Sequence, residues 1–400
     1  MNKHILVIGA GFGGMWSALS ATRQFNIHGR SDFDVTVLAP QPELRIRPRF
    51  YEPNAHLLTA PLSELFDSVG VNFIKGSVEV INVEKKCVEY VDAAGTKQTF
   101  TYDKLVLASG SRLAMPGITG VSECAFDVDQ IEEAVRLENH LKSLVKLPES
   151  IARNTVVVAG GGFTGIETAT EMPARLRAVL GEHADVNVIV VDRGEKVGAS
   201  MGAEISESIA EASAKLGVQW KLGSLVVAVD ENGVTLDNGQ HIAANTVIWT
   251  TGVRASSLTE QIPGERDLFG RLHVDANLKV KGQDDIFATG DVAYAATDEL
   301  GNYALMTCQH AIMLGRFAGN NVAAQLLGVD PIPYSQPKYV TCLDLGGWGA
   351  VYTEGWDRQV KLIQEEAKSL KTQINTVWIY PPAANRESAW AAADPLIPIA

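Results

Sequence analysis

Cysteine is scarce in this sequence, and the few cysteines present lie far apart. The four thiols, at Cys87, Cys124, Cys308 and Cys342, form no C-x-x-C pair and no spacing typical of metal ligands. A disulfide framework, a redox dithiol and a metal site are therefore not expected.

Long apolar runs are also missing. The best runs are broken by Gly, Asp or Arg, well short of the roughly 20 apolar residues that span a bilayer. The first residues, Met1 to Ile8, lack the long apolar segment and the small-residue cleavage site of a signal peptide. We expect a cytoplasmic protein that contacts a membrane at most peripherally.

Positively charged residues are fewer than negatively charged ones. The sequence has 34 Lys and Arg against 47 Asp and Glu, which gives a formal net charge of −13. With no Lys/Arg run, such a chain would repel phosphate backbones, so nucleic acid is not an expected partner. The 46% of hydrophobic residues is ordinary for a folded protein, and 400 residues exceed what one core usually organises. We therefore expect two or three domains.

The first hundred residues predict a parallel β-sheet. A strand at Lys3–Ile8, a helix at Met15–Arg23 and a strand at Asp34–Leu38 form a βαβ unit. A buried strand at Lys104–Ala108 closes this unit, and Met115–Gly120 is expected to cross between domains. Further short strands are predicted at 71–74, 78–83 and 87–91, and a helix at 129–145.

The same pattern then repeats. Thr155–Ala159, a helix at Ile166–Leu180 and Val186–Val191 form a second βαβ unit, which a strand at Thr246–Thr250 closes. The remaining elements are predicted as strands at 285–288, 338–343 and 350–353, a helix at 308–327, and a polar helix at about 360–370 before a Pro-rich tail.

Each βαβ unit carries a G-x-G-x-x-G loop between its first strand and its helix. The glycines allow a tight turn, a close approach of backbone N–H groups to a pyrophosphate, and close packing of a helix whose positive end faces the phosphates. Two such loops, far apart in the chain, indicate two dinucleotides. The loops comprise Gly9, Gly11, Phe12, Gly13 and Gly14 in the first copy, and Gly160, Gly162, Phe163, Thr164 and Gly165 in the second.

The acidic residue expected after the second strand of each unit differs between the copies. In the second copy Asp192 can accept hydrogen bonds from a ribose 2′-hydroxyl, which favours NADH. Arg193 beside it could pair with a 2′-phosphate, so NADPH stays open. The first copy has Ala39 and Pro40 there, and Gln41 or Glu43 is expected to replace the missing carboxylate.

Three segments resemble the pyridine-nucleotide-dependent FAD oxidoreductases, and among them most closely the type II NADH:quinone oxidoreductases. Tyr102–Ser111 resembles the family's crossing segment, Ile286–Asp291 its second FAD signature, and Gly160–Met172 its nucleotide loop and helix. The resemblance covers residues 1 to about 330.

The resemblance implies an α/β fold of the glutathione-reductase type, with two Rossmann-like dinucleotide-binding domains and a small C-terminal α+β domain. The FAD-binding domain is expected in two parts, residues 1–115 and 269–330, with an NAD(P)H-binding domain at 116–268 and the small domain at 331–400.

The resemblance also implies which residues bind and react. Glu167 and Gln309 are the expected catalytic residues, although Glu167 in the first helical turn can equally be a helix-stabilising carboxylate. Besides the first glycine loop, FAD is expected to contact Arg49, Ala108, Ser109, Gly110, Gly290, Asp291, Gln309 and His310. Besides the second loop, NAD(P)H is expected to contact Glu167, Asp192, Arg193, Thr251 and Gly252.

Two departures from the family pattern concern the electron acceptor. Gln309 is kept, but Met313 stands where a second Gln is typical, which leaves quinone open as the acceptor. The loop Arg45–Glu52 has no thiol to relay electrons, and its three arginines are either a solvated basic loop or a site for an anionic group.

The expected reaction is hydride transfer from NAD(P)H to FAD and electron transfer from there to a small-molecule acceptor, with a quinone as the first candidate. One alternative is a soluble reductase of an iron–sulfur protein or a small aromatic substrate. Another is a non-catalytic flavin redox sensor that resembles apoptosis-inducing factor. The sequence leaves a homodimer open.

Overall fold

The structure is a computed structural model that describes residues 2–114 and 117–398. Met115 and Pro116 of the predicted crossing segment lie outside the described residues, as do the last two residues of the tail. The helices are α1 (Phe12–Ile27), α2 (Ser63–Val69), α3 (Val121–Cys124), α4 (Ile131–Ser143), α5 (Phe163–Leu180), α6 (Ala203–Leu216), α7 (Cys308–Leu327), α8 (Gln364–Gln373) and α9 (Arg386–Ala392).

The strands are numbered in chain order. They are β1 (Lys3–Ile8), β2 (Phe33–Ala39), β3 (Glu43–Arg45), β4 (Thr59–Pro61), β5 (Val71–Asn82), β6 (Cys87–Asp92), β7 (Lys97–Thr101), β8 (Lys104–Leu107), β9 (Ser111–Leu113), β10 (Thr155–Ala159), β11 (Asn187–Val191), β12 (Val218–Lys221), β13 (Val226–Asp230), β14 (Gly233–Leu236), β15 (His241–Ala243), β16 (Thr246–Trp249), β17 (Val253–Ala255), β18 (Leu272–His273), β19 (Ile286–Ala288), β20 (Ala293–Tyr294), β21 (Val340–Asp344), β22 (Ala350–Glu354) and β23 (Gln359–Ile363).

The first sheet joins distant parts of the chain in the order β19-β8-β1-β2-β5-β6-β7. The neighbours from β19 to β5 are parallel, and the near-continuous apolar segments of β19, β8, β1 and β2 are buried, as expected for a sheet covered on both faces. Ile286–Ala288 pairs with Leu105–Leu107, so the chain returns to the first sheet after building the second.

Glycines let helix α7 pack directly on helix α1. A Cβ atom at Gly315 would lie 2.6 Å from the carbonyl oxygen of Gly13, and one at Gly319 would lie 2.1 Å from that of Ser17. The Ser17 hydroxyl donates a hydrogen bond to the Gly315 carbonyl oxygen at 3.1 Å. This close contact places the first turn of α7 beside the first glycine loop.

A second sheet, β12-β11-β10-β16, is parallel throughout, and the antiparallel strands β13, β14 and β15 pack beside it. Strands β9 and β17 pair antiparallel where the chain passes between the two parts. The predicted mixed α/β class is confirmed.

Two local predictions were wrong. The strands predicted at 71–74 and 78–83 are one strand, β5, which pairs with β2 up to Lys75 and with β6 from Gly76 onward. A glycine suits the residue at which β5 changes partner, because the Cβ atom of any other residue at Gly76 would lie only 2.6 Å from the Tyr90 ring. The helix predicted at about 360–370 is instead β23 followed by α8, because Gln359–Ile363 pairs with β22.

The C-terminal region consists of the antiparallel sheet β21-β22-β23, helix α8, a π-helical turn at Ile374–Trp378 and helix α9. The apolar residues of this sheet pack against helices α5 and α6. Among the described residues, no helix has both the length and the apolar character needed to traverse a bilayer.

Candidate active site

One cavity of about 770 Å³ lies at the carboxyl ends of the parallel strands of both sheets. This is where open parallel α/β sheets bind ligands, and the volume is typical of a small-molecule site. The residues that follow or end these strands line it: Gly9 after β1, Ala108 after β8, Thr289 after β19, and Trp249 and Thr250 at the end of β16.

The first glycine loop forms one wall of the cavity and tolerates no side chain at two positions. Gly9 has φ +109°, and a Cβ atom there would lie 2.3 Å from the Ala108 carbonyl oxygen. A Cβ atom at Gly14 would lie 1.9 Å from the Gly9 carbonyl oxygen. Gly11, by contrast, has open space beside it and precedes helix α1, whose first N–H groups have no side-chain cap. The loop is therefore shaped to bring a phosphate group to the start of α1.

The second glycine loop repeats this geometry. Gly160 has φ +116°, and a Cβ atom at Gly165 would lie 2.0 Å from the Gly160 carbonyl oxygen, while Gly162 is open. A Cβ atom at Gly160 would also meet the Thr251 side chain at 2.3 Å, and Gly252 has φ +89°.

Asp192 lies directly after β11, next to the second loop. Its Oδ2 accepts a hydrogen bond from Gly161 N at 2.7 Å, and its Oδ1 accepts one from Gly194 N at 2.7 Å. These donors fix the orientation of the carboxylate beside the second glycine loop. The neighbouring Arg193 is exposed.

Only part of the predicted nucleotide site reaches the cavity. Phe163, Thr164 and Glu167, from the first turns of α5, line it. The loop glycines, Asp192, Arg193, Thr251 and Gly252 lie outside its lining. The cavity is thus one chamber, and the second glycine loop is adjacent to it.

Asp291 belongs to a polar cluster at the floor of the cavity. Its Oδ2 accepts hydrogen bonds from the Ser111 hydroxyl at 2.6 Å and from Arg47 Nη1 at 3.3 Å. The Arg47 guanidinium also pairs with the buried Asp129, whose Oδ2 accepts from Leu113 N at 3.0 Å. Arg47 was part of the arginine loop noted in the sequence, but its partners Ser111 and Asp129 were not predicted.

Arg49 was predicted to contact FAD, and the structure turns it away from the cavity. Its Nη2 lies 2.7 Å from Glu52 Oε2, and its Nη1 donates to the Tyr380 hydroxyl at 3.2 Å. The physical reason is the short 3₁₀ turn Arg47–Arg49, whose geometry directs alternate side chains in different directions. Arg47, not Arg49, lines the cavity.

Glu167 forms a buried ion pair that the sequence did not predict. Its Oε1 accepts from Lys371 Nζ at 2.8 Å and from Asp344 N at 3.0 Å, and both side chains are less than one tenth exposed. Lys371 Nζ also donates to the Cys342 carbonyl oxygen at 2.8 Å. Glu167 and Lys371 both line the cavity.

The electrostatics of this pair follow from burial. Burial raises the pKa of Glu167 to about 7, because loss of water outweighs the attraction of Lys371. Burial alone would lower the pKa of Lys371, but the negative charge of Glu167 raises it, so the lysine stays cationic. The carboxyl is therefore the partner that titrates near neutral pH.

Several buried polar atoms around the cavity have no hydrogen-bond partner within the described residues. They include Ser109 Oγ, Thr289 Oγ1 and Gln309 Oε1, and all three residues line the cavity. Buried polar groups are normally paired, so these atoms point to a polar ligand. Ala108, Gly110 and Gly290 line the same part of the cavity.

His310 was also predicted to contact FAD, but it does not line the cavity. The ring is fully buried behind the first turn of α7, and its Nδ1 lies 2.8 Å from the Thr307 hydroxyl. Burial lowers the pKa of His310 to about 4, so it stays neutral. It packs against the rings of Tyr339 and Trp356 and completes the core beneath Gln309.

The comparisons with known proteins agree with this geometry. The model of the pyridine nucleotide-disulphide oxidoreductase family matches residues 3–315, and the chain belongs to this family. The class is that of a nucleotide-dependent oxidoreductase, and the resemblance noted in the sequence is confirmed.

Individual relatives narrow the class further. A NADH dehydrogenase-like protein of Mycobacterium tuberculosis is 42% identical over 398 residues, which cover 98% of each chain. A type II NADH:quinone oxidoreductase of Staphylococcus saprophyticus is 28% identical over 397 residues, 94% of each chain. In fold, the structure of NDH2 from Plasmodium falciparum in complex with NADH is similar, with a TM-score of 0.78 over 98% of both chains at 16% identity.

Proposed function

We propose that this protein is an FAD-dependent oxidoreductase that takes a hydride from NADH and passes the electrons to a quinone-like acceptor. The observation that carries the proposal is one cavity that is lined by the first glycine loop and by the first turns of α5, the helix that follows the second glycine loop. Its relatives named NADH dehydrogenase-like and type II NADH:quinone oxidoreductase support the same reaction.

We propose that the two parallel sheets are two Rossmann-like domains, arranged as in glutathione-reductase-like folds. The FAD-binding domain would comprise residues 1–115 and 269–330, since β19 joins β8 and α7 packs on α1. The NAD(P)H-binding domain would comprise residues 116–268, and the small C-terminal domain residues 331–400.

The residues present fit FAD. Gly11 leaves space for the pyrophosphate at the start of α1, and Asp291 with Ser111 and Arg47 offers partners for the ribitol hydroxyls. The partnerless Ser109 and Thr289 hydroxyls gain partners in such a ligand. When bound, FAD supplies the two-electron chemistry, since it accepts a hydride and releases electrons singly or in pairs.

At the adenosine end, no carboxylate follows β2. Glu43 and Gln41 both line the cavity there, and Glu43 Oε1 lies 3.1 Å from Arg45 Nε. We propose that Glu43 or Gln41 takes the ribose contact that an acidic residue at Ala39 would otherwise make.

We propose that NADH binds at the second loop. Asp192 is held by two backbone N–H groups beside this loop, which supports a role in accepting hydrogen bonds from ribose hydroxyls and disfavours a 2′-phosphate. Phe163, Thr164 and Glu167 then lie between this loop and the cavity, where the nicotinamide would meet the flavin. Glu167, with its pKa near 7, would hold or release a proton beside the reacting rings.

The part of the cavity wall formed by α7 and the C-terminal region suits a flat, largely apolar acceptor. Leu370, Ile374, Trp378 and Ile379 form an apolar wall, and the partnerless Gln309 side chain stands at the start of α7. Met313, which replaces the family's second Gln, is buried outside the lining, whereas Ile312 lines it. A quinone carbonyl would find one amide partner in Gln309 rather than two.

A cytoplasmic location with at most peripheral membrane contact stays a prediction, as does a homodimer. Such a membrane contact would use exposed apolar side chains of the C-terminal segment. These are Val377, Trp378, Leu396 and Ile397.

The cofactor assignment is tested by purifying the protein and identifying the released flavin. We expect stoichiometric FAD, and we expect Asp291→Ala to lower occupancy by at least about tenfold, because one or two charge-assisted hydrogen bonds are lost. Asp298→Ala, a change of the same type at a surface turn, is the control and should retain full occupancy. A colourless wild-type protein that FAD cannot reconstitute would refute the assignment.

A further inference from the structure

A chain of hydrogen bonds connects the protein surface with the cavity and uses none of the residues assigned so far. It begins at Lys368, whose Nζ donates to Asp344 Oδ1 at 2.6 Å. It continues through the Asp344 carboxylate, whose Oδ2 accepts from the Tyr51 hydroxyl at 3.2 Å. Tyr51 lines the cavity.

The exposure of the three side chains falls along this path. The Lys368 side chain is 32% exposed, that of Asp344 is 8% exposed, and Tyr51 is 3% exposed. Solvent thus reaches one end of the path, and only the cavity lies at the other. Burial raises the pKa of Tyr51 well above its ordinary value, so its hydroxyl stays protonated at neutral pH.

The path is held rigidly from both sides. The Tyr51 carbonyl oxygen accepts from Arg175 Nη1 at 2.8 Å, and Asp344 Oδ1 accepts from Gly346 N at 2.9 Å. Asp344 N in turn donates to Glu167, so the path runs beside the Glu167–Lys371 pair without passing through it. The other charged groups that face it are Glu52, Glu171 and Arg175.

The proposed reaction consumes a proton that such a path can supply. A hydride carries two electrons and one proton, whereas conversion of a quinone to a quinol consumes two electrons and two protons. One proton per turnover must therefore come from solvent and reach the acceptor in the cavity.

Building on the proposed function, we propose that Tyr51, Asp344 and Lys368 form the proton relay that supplies the acceptor. The Tyr51 hydroxyl rotates its hydrogen from Asp344 toward the acceptor, its O–H bond breaks as an O–H bond forms on the acceptor oxygen, and the tyrosine oxygen then accepts a proton from Asp344, which reverses the resting hydrogen bond between them. A proton from the Lys368 ammonium passes through the Asp344 carboxylate to the tyrosine oxygen, and Lys368 recovers a proton from solvent. Electrons reach the acceptor separately, so the step moves protons only.

The test compares Tyr51→Phe with wild type in the two half-reactions by stopped-flow spectroscopy. Phenylalanine keeps the ring and removes only the proton donor, so we expect flavin reduction by NADH to stay within twofold. Reoxidation by a short-chain quinone should slow about tenfold or more, in line with the contribution of general acid catalysis. Reoxidation by ferricyanide, which takes electrons without protons, should be unchanged.

Asp344→Asn and Lys368→Met should show the same selective loss, and the solvent isotope effect on quinone reoxidation should change in each. Tyr334→Phe removes a buried hydroxyl far from the cavity and is the matched control, with thermal unfolding confirming that all variants are folded. Equal quinone rates for Tyr51→Phe and wild type, or equal losses with quinone and ferricyanide, would overturn the relay. A wild type that reduces no quinone would instead overturn the proposed function itself.

Discussion

Because the pKa of Glu167 is raised in the folded protein, the stability of the fold should depend on pH. Replacing this one residue should abolish that dependence. Its ordinary pKa of 4.5 is raised to about 7 in the folded protein, chiefly by burial. A group whose pKa is raised on folding stabilises the protein fully below its unfolded pKa, and this stabilisation is lost as the pH rises through the folded value. The relevant window is therefore about pH 4.5 to 7.

The size of the effect follows from these two values. At about 1.4 kcal/mol per pH unit, the interval corresponds to a loss of about 3 kcal/mol of unfolding free energy as the pH rises across the window. Glu167→Gln imitates the protonated carboxyl and cannot ionise. It should therefore match wild type near pH 4.5 and become about 3 kcal/mol more stable relative to it by pH 7.

Urea unfolding followed by tryptophan fluorescence, at half-unit pH steps from 4.5 to 7.5, measures this difference. Glu182→Gln, an exposed glutamate on the loop after α5, controls for the loss of one negative charge. A wild-type minus Glu167→Gln difference that stays constant over the window would show that the buried carboxyl does not titrate there, and the reasoning about the Glu167–Lys371 pair would fail.

Three other changes test separate parts of the account. Asp192→Ala should narrow the preference for NADH over NADPH in kcat/KM by about tenfold or more, because a charge-assisted contact to the ribose is lost; an unchanged ratio would remove Asp192 from nucleotide selection. Gly14→Ala should destabilise the protein by about 1–3 kcal/mol and abolish FAD binding, since its Cβ atom would lie 1.9 Å from the Gly9 carbonyl oxygen; Gly117→Ala, in open space, is the comparison, and bound FAD at wild-type occupancy would contradict the prediction. Arg47→Met leaves the buried Asp129 without its cation and should cost about 1–3 kcal/mol, measured by thermal unfolding; an unaltered midpoint would show that the pair contributes nothing.

The local parts of the site could be predicted from sequence because their signals are local. A glycine loop between a strand and a helix specifies its own turn, and helix α7 begins at Cys308 as predicted. Asp192 directly follows β11, so the end of that strand determines its position. In each case neighbours within a few residues determine the geometry.

The contacts made across the fold left no such signal. Lys371 reaches Glu167 from a helix some 200 positions away in the chain, and α8 itself was misplaced because the predicted helix included β23, which pairs with β22 in the fold. Arg47 and Arg49 are equivalent by composition, and only the turn that contains them decides which one faces the cavity. His310 is polar by type, yet the packing of Tyr339 and Trp356 makes it part of the core.

The most direct test of the proposed reaction is a two-step anaerobic mixing experiment on the purified protein, with the flavin absorbance as the signal. Addition of one equivalent of NADH should bleach the absorbance, and subsequent addition of a short-chain quinone should restore it, over repeated cycles. A flavin that NADH does not bleach, or that stays bleached after quinone is added, would contradict the assignment of this chain as an NADH-dependent quinone reductase.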